Sequence, residues 1–322
     1  MRFLLLALLF TTLSCERLES VFVEEDLLQR PQAKRCADCH AQIYEEWKKS
    51  RHFHAWTSEQ FRLESENYTK TKCLSCHAPH QVDPDKKPLL RAEFRHDGVS
   101  CVACHFKEET KSMHGPLKVW SPPHPSKQDL SYTKSNFCAG CHQETYKEWK
   151  VAKVEKSCQQ CHMPSLGKKD LIQKFPFQYF HLAKSRTSHE FPALKAKPED
   201  IKVELMKGRI VLTNVGVPHN LPTADQGDPK LYIVIELQYR DGKRRTLRKL
   251  LSAQAKTALV YKVPKAIKLP DGEVSVVRVK VYRKLAWKKE KELIKEVTLK
   301  TPSPSHEGLS RQEAGPLSGY LQ

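Results

Sequence analysis

The stretch Cys36-Ala-Asp-Cys-His-Ala-Gln-Ile-Tyr-Glu-Glu-Trp-Lys48 returns later in the chain as Cys138-Ala-Gly-Cys-His-Gln-Glu-Thr-Tyr-Lys-Glu-Trp-Lys150. In both copies a histidine, a tyrosine and a tryptophan stand at i, i+4 and i+7, so the three side chains share one face of a helix. The repeat therefore predicts two similar helical modules whose aromatic rings pack beside the histidine. Ordinary packing is a commoner role for such rings than electron relay.

The Cys-x-x-Cys-His motif that starts each repeat occurs five times and uses ten of the eleven cysteines in the 322-residue chain. Two thiols at this spacing bind the vinyl groups of a haem as thioethers, and the histidine becomes the proximal ligand of the iron. A zinc or disulfide framework is the alternative, but it does not need a histidine at a fixed offset. The sequence thus predicts five covalently attached haem c groups. The motifs are Cys36, Cys39 and His40; Cys73, Cys76 and His77; Cys101, Cys104 and His105; Cys138, Cys141 and His142; Cys158, Cys161 and His162.

The eleventh cysteine, Cys15, follows Arg2 and a short apolar run from Phe3 to Phe10. This pattern is typical of an export signal. Ser14 before Cys15 resembles a bacterial lipobox, which predicts a lipoprotein signal at 1–15 with Cys15 as the lipidated residue. An ordinary secretory signal with a spare cysteine is the alternative. No other apolar stretch is long enough to span a bilayer. We expect an exported protein, either periplasmic or anchored on the periplasmic side of the inner or outer membrane.

The remaining chain changes character near residue 200, and the predicted fold class is α+β. We expect a linker at 16–35, an α-rich and loop-rich pentahaem domain at 36–195, a small basic β-sandwich at 196–301 and a disordered tail at 302–322. β-Branched runs are typical of strands. The predicted strands are Ile201 to Leu205, Arg209 to Thr213, Leu231 to Leu237, Thr257 to Tyr261, Val274 to Val281 and Leu293 to Leu299.

Histidine is the residue type that can supply the second axial ligands. The chain has only 4 methionines, whereas 10 of its 15 histidines lie outside the motifs. The chain therefore has enough histidines for bis-histidine coordination at every iron. Haems with two histidine ligands suit electron transfer. For any single histidine, a surface or packing role stays as an alternative.

The motifs and the residues around them resemble multihaem cytochromes c related to the tetrahaem electron carrier of ammonia oxidisers and to hydroxylamine oxidoreductase. The resemblance covers most of the mature chain, including a C-terminal β-domain. It is carried by the five motifs with Ser50-Arg-His52, Gly115-Pro-Leu117, Ser121-Pro-Pro-His124, Ser188-His-Glu-Phe-Pro192 and Asn214-Val-Gly-Val-Pro-His-Asn-Leu-Pro-Thr223. The last element departs from the family pattern at Pro218 and Ala224, where glycines are usual.

This resemblance implies the distal ligands. Its best candidates are His52, His124, His189 and His219, and His114 beside the Gly115-Pro116 turn is the fifth. A ligand from residue 219 would join the β-domain to an iron. A histidine that only caps a β-loop by hydrogen bonding is the alternative for this position.

Charge is concentrated in the β-domain. The chain carries a formal net charge of +18, and residues 240–300 hold 19 Lys and Arg against 6 Asp and Glu, a net charge of +13. A solvated face is one interpretation. The other is docking to an acidic redox partner or an anionic membrane surface. Export argues against nucleic acid as the partner. The sequence does not specify an oligomeric state.

These patterns favour an exported pentahaem electron carrier without catalytic residues. The first alternative is an oxidoreductase that acts on a small nitrogen or sulfur species at a haem with an open distal side. In a further alternative, the β-domain is an adhesion or docking module, and the haem region is the redox-active domain that it carries.

Overall fold

The computed structural model describes residues 23–225 and 227–301, with helices before residue 163 and most strands after residue 200. It is an α+β fold, as predicted. Most of the α-helices have one turn or slightly more, because the cysteine motifs interrupt the helical segments. The α-helices are α1 (Ala33–Ala37), α2 (Ala41–Lys49), α3 (Glu59–Glu64), α4 (Thr71–His77), α5 (Cys101–His105), α6 (Gln143–Ala152) and α7 (Cys158–His162).

Helices α2 and α6 are the two predicted repeat helices, and each begins directly after a motif histidine. The residues that follow their last turns differ. After α2 comes Ser50, whose hydroxyl donates to the carbonyl oxygen of Trp47 at 2.6 Å and accepts from the amide of Phe53 at 3.2 Å. After α6 comes Lys153 in the left-handed conformation, with φ of 50°. The serine turn leads the chain into residue 52, which is the first distal candidate.

The segment before the first motif packs against the helical part of the protein. Ala33 is buried, and its amide donates to the buried carboxylate of Asp97 at 2.8 Å. Arg30 forms an ion pair with Glu108 at 2.5 Å and donates to the carbonyl oxygen of His80 at 2.6 Å. The described part of the predicted linker is therefore held by specific contacts.

Two small sheets lie among the haem motifs. Strands β1 (Phe106–Lys107) and β2 (Ser112–Gly115) are antiparallel, and β3 (Ser126–Gln128) adds to β2 in parallel. Strands β4 (Ser165–Lys169) and β5 (Lys184–Thr187) form an antiparallel pair after the last motif. These short pairings fix the segments that carry three of the distal candidates, residues 114, 124 and 189.

The C-terminal part consists of two antiparallel sheets around one core, as expected for a sandwich. One sheet has the strand order β12-β11-β8-β9 and the other β10-β7-β6. Both sheets contribute to one buried aliphatic cluster that includes Ile210, Ile233 and Val279. The strands are β6 (Ile201–Met206), β7 (Arg209–Asn214), β8 (Lys230–Tyr239), β9 (Arg244–Ser252), β10 (Lys265–Lys268), β11 (Val274–Lys284) and β12 (Glu292–Lys300).

The strand predictions were right for five of the six segments. The segment 257–261 is not a strand: Leu259 and Tyr261 form only isolated bridges to Leu221 and Asn214. Strand β9 was missed because its Arg-rich sequence lacks the usual β signal, although it pairs with β8 along most of its length. Strand β10 is only four residues long.

Some predictions lie outside the described residues. They concern the signal at 1–15 with Cys15, and the tail at 302–322. In the described part of the chain, no helix is both long enough and apolar enough to cross a membrane.

Candidate haem-binding site

The five motifs bring ten cysteines into one connected region. None of the ten forms a disulfide, and each is partly buried. Motif cysteines also lie near one another across the sequence: Cys101 is close enough to Cys36 to lower the pKa of the Cys36 thiol, and Cys141 does the same for Cys76. Cys138 likewise lowers the pKa of Cys158. The fourth motif thus touches both the second and the fifth, and the first touches the third.

Four of the five motif histidines are held by the same kind of hydrogen bond. In four of them the ring nitrogen Nδ1 lies at hydrogen-bond distance from a backbone carbonyl oxygen, which leaves Nε2 available as a ligand. The partners are Leu171 for His40 at 2.6 Å, Ala55 for His77 at 2.6 Å, His114 for His105 at 2.7 Å and Pro192 for His162 at 3.1 Å. In His142, Nδ1 faces the carboxylate of Asp225 at 3.6 Å instead.

Three motif histidines each face a distal candidate at nearly the same ring separation. The centroid distances are 6.4 Å for His40 and His124, 6.4 Å for His142 and His52, and 6.3 Å for His105 and His189. An imidazole nitrogen binds a metal ion at about 2 Å, so two rings on opposite sides of one ion have centroids roughly 6 Å apart. The spacing of these pairs therefore fits two axial ligands of one iron.

The distal members of these pairs are half-buried, and this burial favours their neutral form. Burial lowers the pKa of His52 to about 3, and it lowers the pKa of His124 and of His189 to about 4. A neutral imidazole is the form that binds a metal. Partial burial also lowers the pKa of His219, and the nearby His162 lowers it further. His162 is thus the motif histidine that lies near His219.

His114 has a different environment from the other four candidates. Its Nε2 lies 2.8 Å from the hydroxyl of Thr110, and its Nδ1 lies 3.4 Å from Asp129. Its carbonyl oxygen accepts from the ring of His105. Both ring nitrogens are thus engaged, and the structure gives no support to His114 as a distal ligand.

In the described part of the chain, His77 packs against aromatic side chains and, like His162, makes no ring contact with another histidine. Phe61 stacks on its ring, with centroids 3.6 Å apart and planes 7° apart, and Trp56 and Tyr68 pack around Phe61. The second motif is therefore lined by aromatic rings.

An orphaned arginine supports the fit of this region to haem. Arg186 is buried, and one of its guanidinium nitrogens pairs with Glu46 at 2.9 Å. Its Nε and Nη1 are buried without any hydrogen-bond partner. Buried donors of this kind normally have an acceptor. Arg186 is close enough to His189 to lower its pKa, and burial contributes more to that shift. A haem carboxylate would satisfy both nitrogens.

Three further residues of the site were missed by sequence reasoning. Glu46 and Glu148 occupy the same position in the two repeats, and each contacts a segment that carries a distal histidine. Their identity in the repeat was the signal that could have revealed them. Asp225 lies next to His142 only because of the fold, so no local signal marked it.

Comparisons with known proteins agree with this geometry. The family model of cytochrome c554 and c-prime matches residues 35–106, which hold the first three motifs and His52. This chain is similar to multihaem c-type cytochromes. A pentahaem cytochrome c552 from Thermochromatium tepidum has a similar fold, with a TM-score of 0.56 and 18% identity over 84% of this chain and 100% of its own. No curated protein matches.

Proposed function

We propose that this protein is an exported electron carrier with five haem c groups, four of them closed by two histidines. The observation that carries the proposal is the repeated ring spacing of 6.3–6.4 Å between motif histidines and half-buried partners. When bound, each haem supplies reversible one-electron exchange at its iron. The cysteines would attach the haems covalently, and the histidines would be the axial ligands of the irons.

The contacts between motifs support transfer from one haem to the next. The first motif touches the third, and the fourth touches the second and the fifth. Cys104 of the third motif is also near Cys138 of the fourth. These contacts connect all five motifs, with the fourth as the branch point. The protein's role is to hold the ligands so that little rearrangement accompanies each electron.

The exposed basic strand β9 is the proposed docking surface for an acidic redox partner. It is the edge strand of the four-stranded sheet, and Arg244, Arg245, Arg248 and Lys249 are exposed on it. Among the described residues these four have no ion-pair partner. In contrast, Arg278 and Lys280 on the same sheet lie within 4.0 Å of Glu236 and Glu296. Reversing the charge of Arg245 and Arg248 should slow electron transfer and flatten its dependence on salt.

Electron paramagnetic resonance of the oxidised protein, with a haem count, tests the carrier proposal. We expect five haems, with low-spin signals from the four paired irons. Single His→Ala variants at residues 52, 124, 189 and 219 should each convert one low-spin haem to high spin. Four unchanged spectra would contradict the ligand pairs.

A second function is favoured by the environment of His77. An iron held there without a second histidine has a side open to a small molecule, as in an oxidoreductase of nitrogen or sulfur species. Titration with nitrite, hydroxylamine or cyanide would then shift one high-spin signal. If every haem is low spin and none responds, this second function is refuted.

A further inference from the structure

The glutamate before each repeat tryptophan lies off the face that carries the histidine. It precedes the tryptophan by one residue, which rotates it by about 100° around the helix. Glu46 in α2 is 16% exposed, and its Oε2 accepts from the backbone amide of His189 at 3.1 Å. Its Oε1 pairs with Arg186 at 2.9 Å. The first repeat thus contacts the backbone of a histidine that faces the third motif.

Glu148 in α6 makes the corresponding contacts in the second repeat. Its Oε2 accepts from the backbone amide of Asn220 at 3.0 Å and from the hydroxyl of Thr223 at 2.7 Å. Its Oε1 accepts from the side-chain amide of Asn220 at 2.7 Å. Asn220 follows His219 directly, so this carboxylate holds the loop of the histidine that lies near the fifth motif.

We propose that Glu46 and Glu148 are positioning residues for distal ligands: Glu46 holds His189 opposite His105, and Glu148 holds the loop of His219 near His162. This inference rests on the bis-histidine ligation of the proposed function. Each glutamate therefore positions a ligand for a haem other than the one attached to the motif that precedes its own helix.

The physical reason is that both distal histidines come from irregular segments far from the helices. His189 follows the end of strand β5, and His219 lies between strands β7 and β8. Fixing such a loop costs conformational entropy. Charge-assisted hydrogen bonds from a carboxylate to the backbone beside the ligand are strong and directional. They keep the imidazole in place before it binds and return it after it dissociates.

The loop around residue 219 is also shaped from within. Asn214 is fully buried, and its side-chain amide donates to the carbonyl oxygens of Val217 and His219 at 2.9 and 2.8 Å. A Cβ at Gly216 would lie 1.8 Å from the carboxylate of Asp200, so any larger residue there would have to displace the Asp200 side chain. The loop is thus a formed element that Glu148 attaches to α6.

The test uses the full-length holoprotein and cyanide as the probe. In Glu148→Ala we expect cyanide to displace one distal histidine at least ten times faster than in the wild type, as a kinetic phase absent from the wild-type protein. Glu144→Ala is the matched control, because Glu144 lies on the same helix, is 60% exposed and pairs only with Lys147. Glu148→Gln retains one acceptor oxygen and should give an intermediate rate.

His219→Ala separates the two levels of the proposal. If it creates a high-spin haem but Glu148→Ala exchanges cyanide as slowly as Glu144→Ala, the positioning role is refuted and the ligation stands. If His219→Ala leaves every haem low spin, the ligation and this inference both fail. Glu46→Ala against exposed Glu45→Ala repeats the test at the third motif. Haem count and urea unfolding establish that each variant is folded.

Discussion

The two repeats, residues 36–50 and 138–152, share eight of fifteen residues but have different surroundings. In the first, Trp47 is 4% exposed, donates to the carbonyl oxygen of Val99 at 2.8 Å and packs edge-on against Phe53. In the second, Trp149 donates to the carbonyl oxygen of Lys156, and no residue of α6 is buried. The first helix is enclosed by the haem region, whereas the second lies under a loop of the β-domain. A repeated helix thus acquires its role from what covers it.

The largest difference between the two repeats should come from substituting the residue before the second cysteine of each motif, which is Asp38 in the first repeat and Gly140 in the second. A Cβ at Gly140 would lie 2.2 Å from the carbonyl oxygen of Asp83, whereas Asp38 is 52% exposed and pairs with Arg35. We expect Gly140→Asp to cost at least about 3 kcal/mol, from overpacking and a buried charge. Asp38→Gly should cost about 1 kcal/mol. Urea unfolding of both holoproteins measures this, and equal losses would break the comparison.

The tryptophans provide the next difference. Trp47→Phe leaves the carbonyl oxygen of Val99 without its donor in a buried place, which costs about 1–3 kcal/mol. Trp149→Phe frees the carbonyl oxygen of Lys156 in an exposed place, where water replaces the lost bond, so we expect about 0.5 kcal/mol. The measurement is the free energy of unfolding at constant haem content. A larger loss at residue 149 would reverse our view of which helix is enclosed.

The proximal histidines should differ in redox behaviour. His40 faces a neutral carbonyl oxygen of Leu171, whereas His142 faces the carboxylate of Asp225. A carboxylate at this position makes the imidazole a stronger donor and stabilises oxidised iron. Asp225→Asn keeps an acceptor for the amide of Glu144 but removes the charge. We expect one midpoint potential to rise by about 59 mV, a tenfold change in the one-electron equilibrium.

Potentiometric titration with optical detection measures this shift. Thr145→Val is the control, since it removes a hydrogen bond to the same carboxylate without removing its charge. Five unchanged potentials in Asp225→Asn would contradict the tuning role of Asp225.

The smallest effect should be common to both repeats. Lys48 pairs with Glu45 on the first helix and Lys147 pairs with Glu144 on the second, and all four side chains are largely exposed. Lys48→Ala and Lys147→Ala should each change the free energy of unfolding by less than about 0.5 kcal/mol. A loss above 1 kcal/mol in only one of them would mean that the exposed faces differ as well.

Local patterns in the sequence predicted much of this molecule. The helices after His40 and His142 and five strands of the sandwich follow directly from periodicity and composition. Strand β9 could not be predicted in this way, because its Arg-rich sequence is unfavourable for a strand. Its pairing with β8 outweighs that preference. The pairing of His52 with His142 also joins residues that only the fold brings together. His114 was selected for its neighbouring turn, which contains no information about the hydrogen bonds its ring forms.

The loop of residue 219 has a consequence for the maturation of the protein. All ten haem cysteines precede residue 162, whereas His219 depends on Asn214 and on the β-strands around it. Covalent attachment at the fifth motif can thus be complete in a chain whose β-domain has not yet folded. Under the proposed ligation, closure of that iron is the later event. The spin state of a single haem then reports whether the C-terminal half has reached its native structure.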